Sequence, residues 1–163
     1  MTEFERLFLE NRDFIFKYLM KLTQDLALAE ELTQETFFRA YMNFTALREK
    51  EKAPAWLCRI AQNTYFAWLR EQKKTVPFEH AEALPAPDNV EQTCERRELS
   101  QKALLCLHEL DEPYKEVFML SVFGGFSLKE ISSLFGKSES WARVTFYRAK
   151  QKLSERMREQ YGL

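Results

Sequence analysis

The chain has 163 residues, enough for one ordinary domain or two small ones, and 45% apolar with 14% aromatic residues exclude a disordered polymer. A formal net charge of −1 excludes a uniformly basic nucleic-acid binder. Charge is instead segregated: residues 75–93 carry Glu79, Glu82, Asp88 and Glu91 with no Lys or Arg, whereas residues 137–158 carry seven basic side chains against two acidic ones.

In residues 4–22, Phe4, Leu7, Phe8, Ile15, Tyr18, Leu19 and Leu22 recur at spacings of three and four, which predicts a first amphipathic helix. A second helix is predicted from about Asp25 to Phe44. Its wheel buries Ala29, Leu32, Thr33, Thr36, Phe37 and Ala40, and gathers Glu31, Gln34, Glu35, Phe38 and Met42 on the other side. Exposed aromatic and thioether groups beside carboxylates suit a protein-docking surface; composition alone fits packing of Phe38 and Met42 within the domain equally well. A polar loop, NFTALREKEKA, leads to a third helix from Pro54 to about Lys74, with Pro54 in the first turn where its missing N–H is no loss. One face of it (Trp56, Leu57, Ile60, Ala61, Thr64, Trp68) reads as core. The opposite face (Arg59, Gln62, Asn63, Phe66, Arg70, Lys73) offers cations, amides and a ring, the composition of a nucleic-acid surface and also of a solvated helix face.

Periodicity then fails over TVPFEHAEALPAPDNVEQ, where three prolines predict an extended linker. Helices follow near 92–110, 113–123, 128–135 and 139–158, with Ser127 and Glu130 forming an S-x-x-E capping box. On the last helix Ala142, Phe146, Ala149, Leu153 and Met157 form a core stripe, while Ser140, Trp141, Arg143, Val144, Tyr147, Arg148 and Gln151 face outward. With the short turn at Phe135-Gly136-Lys137, the spacing is that of a DNA-binding helix-turn-helix, which a plain helical hairpin also resembles. The predicted fold class is all-α: two small helical domains, 1–74 and 95–163, joined by a flexible acidic linker at 75–94.

Other classes lack support. The acidic amphipathic N-terminus predicts no secretory leader, and no uninterrupted apolar window approaches 18 residues, so no membrane insertion is expected. Three cysteines without C-x-x-C spacing fit a reducing cytoplasm and no metal site. No catalytic ordering or Gly-rich phosphate loop is present, so neither an enzyme nor a cofactor is expected. A stand-alone helix-turn-helix regulator and a polymerase-binding adaptor remain as rival readings.

Three segments in order, AEELTQETFFRAY, APAWLCRIAQNTYFAWLREQKK and LHELDEPYKEVFMLSVFGGFSLKEISSLFGKSESWARVTFYRAK, resemble bacterial RNA polymerase sigma factors. The short length resembles the extracytoplasmic function group, which keeps only regions 2 and 4. The resemblance implies that Glu31, Gln34, Glu35 and Phe38 dock on the β′ clamp helices of core RNA polymerase, and that region 4 meets the β flap. It implies that Leu47, Arg48, Arg59, Asn63 and Arg70 contact the promoter −10 element, where a base is flipped from the non-template strand. Ser140, Arg143, Val144, Tyr147 and Arg148 would read the −35 element. The acidic linker would thread through the polymerase, and an anti-sigma factor would hold the protein inactive until a stress or envelope signal arrives. Against the family's usual pattern, Thr145 stands in place of a common Arg, Trp141 in place of a small residue, and Lys137 in place of an apolar one.

Overall fold

The computed structural model describes residues 1–75 and 90–163. They form seven α-helices: α1 (Glu3–Thr23), α2 (Leu26–Met42), α3 (Ala53–Thr75), α4 (Val90–His108), α5 (Tyr114–Val122), α6 (Leu128–Phe135) and α7 (Glu139–Tyr161). No strand occurs among the described residues, and no helix among them is long and apolar enough to cross a membrane. The predicted acidic linker lies for the most part outside the described residues.

Local chemistry sets the helix ends. Thr2 Oγ1 accepts the Glu5 N–H at 3.1 Å and the Glu5 carboxylate accepts the Thr2 N–H at 2.9 Å, closing a reciprocal cap on α1. α1 stops at Gln24, whose φ of 53° is left-handed, and Asp25 caps α2 by accepting the Leu28 N–H at 3.1 Å. The two helices are thereby folded back within a two-residue turn. α3 then packs on both of them. Leu7, Ile15 and Leu19 of α1 meet Leu32 and Phe37 of α2 and Leu57 and Cys58 of α3 in one buried cluster. Ala29, Ala40 and Ala61 are fully buried within it, and their small side chains let the helix backbones approach closely. Between α2 and α3, residues 43–53 make two 3₁₀ turns, Phe44–Ala46 and Lys50–Lys52. Phe4 braces the first of these, its ring edge-on to Tyr41 at 5.2 Å and Phe44 at 5.6 Å.

In the second unit α7 is the hub, with α4, α5 and α6 each packed against it. Ser127 and Glu130 make the expected capping box on α6. α6 ends on Gly136 at φ 65°, where the Lys137 N–H reaches back to the Ser132 carbonyl at 2.9 Å. Ser138 opens α7 by accepting the Trp141 N–H at 3.1 Å. The far end of α7 is tied to the residue just past α4, since Arg156 and Gln160 both donate to the Glu109 carboxylate, at 3.0 and 2.8 Å.

The two units do not stand apart. α5 packs against α3, and the buried cluster runs continuously from Ile15 and Leu57 to Leu107, Met119 and Leu120. This corrects the reading of α3 as a helix with one free polar face. Gln62 and Phe66, at 1% and 2% exposure, are buried on the stripe that also carries Arg59. A single-helix wheel treats everything off the first domain's core as solvated, because the surface that covers this stripe arrives from much later in the chain.

Backbone conformation yields a pair of opposite expectations. Gln24→Gly should raise the unfolding free energy of the first unit by about 0.5–1 kcal/mol, because glycine adopts the left-handed conformation without a Cβ clash. Gly136→Ala should lower that of the second unit by about 1 kcal/mol for the converse reason. Urea denaturation followed by tryptophan fluorescence measures both, and a shift of either midpoint in the other direction refutes the assignment.

Candidate functional site

Three surfaces gather the residues singled out in the sequence. The first lies between α2 and α3. Glu31, Gln34, Glu35 and Phe38 line one wall of an open groove of about 840 Å³, with Thr64, Trp68 and Arg70 on the other. Helical spacing explains the wall: positions 31, 34, 35 and 38 are three and four apart, on the side of α2 away from Ala29, Thr36 and Ala40. Phe38 is 60% exposed and Met42 66%, so neither packs into the domain, which removes that alternative. Glu35 accepts a hydrogen bond from Arg39 at 3.0 Å, one turn along, an exposed ion pair that orients the carboxylate without burying it. An exposed ring flanked by carboxylates provides a hydrophobic anchor with a charged rim, suited to a basic protein surface.

The second surface is the loop at 43–53 with α3. Arg48, Asn63 and Arg70 are exposed. Leu47 is half-buried and packs against the core, so it holds the loop down rather than projecting from it. Arg70 lies on the groove wall opposite Phe38, which places it between the first surface and the second. Arg59 remains part-exposed but reaches the second unit, where its Nε donates to the Glu116 carboxylate. Burial lifts the Glu116 carboxyl above its ordinary value, and the Arg59 guanidinium pulls against that rise. The structure therefore leaves Arg48, Asn63 and Arg70 exposed and pairs the part-exposed Arg59 with Glu116.

The third surface is the outer face of α7. Ser140, Arg143, Val144, Tyr147 and Arg148 are all exposed, with Tyr147 at 58%. Gln151 donates to the Tyr147 hydroxyl at 3.1 Å, and Arg143 lies 3.6 Å from Glu139, both across a single turn. The inward face is held by Ala142, Thr145 and Ala149. Thr145 is only 5% exposed, so the threonine at this position serves packing. Trp141, expected to face outward, is half-buried with its ring 5.3 Å from that of Phe135. It closes the helix-turn-helix corner, which accounts for a bulky residue at that point.

Reading the sequence missed the residues of the second unit that meet α3. Glu116 carried little signal: it stands in the first turn of α5, immediately before the apolar run VFMLSV, where an acidic side chain is ordinary. His108 and Phe135 carried none, because both are ordinary residues of amphipathic helices. Among the described residues no group of three or more His, Cys, Asp or Glu is placed to hold a metal ion.

Comparison with known proteins agrees with this layout. The family profile for Sigma-70 region 2 matches residues 7–75, and that for Sigma-70 region 4 matches residues 100–153. The chain is 29% identical over 148 residues to the ECF RNA polymerase sigma factor SigM of Bacillus subtilis, covering 85% of each chain. It is 28% identical over 156 residues to the RNA polymerase sigma factor CarQ of Myxococcus xanthus, covering 96% of this chain and 90% of that one. Its fold is similar to that of CnrH in complex with the cytosolic domain of CnrY, with a TM-score of 0.52 at 19% identity over 96% of this chain and 88% of the other. It is also similar to the sigma factor RpoE in complex with the anti-sigma factor NepR from Bartonella quintana, with a TM-score of 0.53 at 19% identity over 98% and 99%. With regions 2 and 4 both matched and similarity to RNA polymerase sigma factors, the ECF factor SigM among them, over most of its length, the chain belongs to the sigma-70 family of RNA polymerase sigma factors, in the extracytoplasmic function group.

Proposed function

We propose that this sigma factor binds core RNA polymerase through the α2 wall of the groove and reads its promoter at two places, the −10 element with the 43–53 loop and α3, and the −35 element with α7. The observation that carries this reading is the presence, on one chain, of an exposed acidic-aromatic wall at Glu31, Gln34, Glu35 and Phe38 and an exposed basic-aromatic helix face at Arg143, Tyr147 and Arg148. The first suits the β′ clamp helices and the second a DNA major groove. Region 4 would also meet the β flap.

A sigma factor performs no covalent chemistry; it works by placing contacts. Arg143 and Arg148 can approach phosphates or guanine edges, and Ser140, Val144 and Tyr147 can fit against base edges between them. At the −10 element, Arg48, Asn63 and Arg70 are suited to hold a single strand whose base has left the stack, and Arg59 joins them once it is released from Glu116. Each module alone is a weak binder on a chain of near-neutral charge. Polymerase fixes the distance between them, and the second contact then becomes effectively intramolecular. The likeness to the sigma factor RpoE in complex with the anti-sigma factor NepR supports control by an anti-sigma factor; residence in the cytoplasm and release by a stress or envelope signal are part of the same proposal.

The direct test is reconstitution with bacterial core polymerase and sequencing of transcript starts from a genomic DNA library. Defined starts that share two upstream elements are expected. Tight sequence-specific footprinting by the chain alone, with no dependence on polymerase, would instead identify a stand-alone regulator. Two substitutions separate the parts. Glu35→Lys should reduce core binding by more than tenfold in a pull-down titration while leaving the helical circular dichroism unchanged, since reversal of an interfacial charge acts on the complex and not on the fold. Arg143→Ala should weaken promoter binding by about 1–3 kcal/mol for the intact −35 element, with the loss shrinking when that element is scrambled. Equal losses on both templates would assign Arg143 to the phosphate backbone.

A further inference from the structure

The 43–53 loop holds nothing longer than a single 3₁₀ turn, yet it is pinned at every third residue. Phe44 and Leu47 pack against the core, and the Leu47 N–H donates to the Phe44 carbonyl at 3.1 Å. Three residues further on, Lys50 Nζ donates to Glu3 Oε1 at 2.6 Å, across 47 positions of sequence. The Lys50 ammonium holds the Glu3 carboxyl below its ordinary value. Phe4, the next residue of α1, sets its ring edge-on to both Tyr41 and Phe44. Both grips come from the first turn of α1, which the reciprocal cap between Thr2 and Glu5 fixes in place. Arg48 is left exposed between Leu47 and Lys50, on a segment held from both sides.

An exposed ion pair adds little to stability, and a lysine in a loop that meets DNA would attract the strand better if left free. Glu3 works against that attraction, since it brings a carboxylate to the loop and occupies one of its cations. We propose that Glu3 and Phe4 are positioning residues for promoter opening: the first turn of α1 clasps the 43–53 loop in the shape that receives the −10 strand. This rests on the assignment of that loop to the −10 element. Phe4 supplies the apolar part of the clasp and Glu3 the directional part. A loop already in its strand-holding shape has less conformational entropy to lose when a base leaves the stack, and that saving outweighs the attraction given up at Lys50.

The test uses holoenzyme reconstituted from the full chain and bacterial core polymerase, at saturating concentration. Its template is a promoter taken from the mapped transcript starts, with 2-aminopurine in the non-template strand of the −10 element, whose fluorescence rises as the base unstacks. Glu3→Lys should slow opening about threefold, although it adds positive charge beside the DNA. Lys50→Glu should slow it at least as much, and the double exchange, Glu3→Lys with Lys50→Glu, should restore the unsubstituted rate. The double variant keeps a lysine at the start of α1, so its rescue is not an effect of the helix dipole. Phe4→Leu, which removes the ring contacts, should also slow opening, and all four chains should bind core polymerase as the unsubstituted chain does. A Glu3→Lys chain that opens as fast as the unsubstituted one or faster, a double exchange no faster than Lys50→Glu alone, or a Phe4→Leu chain that opens normally would each overturn the proposal. The parent assignment is read separately, as slower opening by Arg48→Ala on the intact −10 element and not on a scrambled one. The clasp fails by itself when Arg48→Ala behaves in that way and Glu3→Lys opens normally.

Discussion

The placement of α3 constrains everything else in this protein. One long face of the helix completes the core of region 2 through Leu57, Cys58 and Ala61, and a second stripe meets region 4 where Arg59 contacts Glu116 and Phe66 stacks on His108. A helix used on two sides has little free surface left, and part of what remains, Arg70 and Glu71, lines the groove shared with α2. The groove that carries the proposed docking wall of α2 is thus closed on its other side by α3, the helix proposed to meet the −10 element.

The electrostatics of that arrangement run against simple attraction. A carboxylate placed on the apolar helix α5 is a desolvated charge, and burial raises the pKa of Glu116 even with Arg59 beside it. The pair therefore contributes more to the choice of which surfaces meet than to net stability. The hydrophobic part of the same boundary, including Phe14 against Phe126 at 5.8 Å, supplies non-directional adhesion, while the ion pair fixes the register.

What the sequence could reveal divides along the distance between partners. The cap at Ser127 and Glu130, the stop at Gly136 and the restart at Ser138 involve residues three or four apart, and they were legible because backbone hydrogen bonding is local. The outward set on α7 was legible for the same reason, since periodicity of one helix separates Ala142 and Ala149 from Arg143 and Tyr147. Arg59 was not, because its partner lies 57 residues away and no wheel contains it. Thr145 and Trp141 looked like departures from a family pattern. Each has a packing reason that only the third dimension supplies, one beneath α7 and the other against Phe135.

The division of labour on α7 has an evolutionary side. The side chains that hold the helix, Ala142, Thr145 and Ala149, and the ties from Arg156 and Gln160 to Glu109 are distinct from Ser140, Arg143, Val144, Tyr147 and Arg148. Exposed positions away from caps and packing tolerate substitution with little effect on stability. If the outer face of α7 reads the −35 element as proposed, a duplicated copy of such a gene could drift to a new promoter by rewriting five surface letters, while the scaffold beneath them stayed as it was.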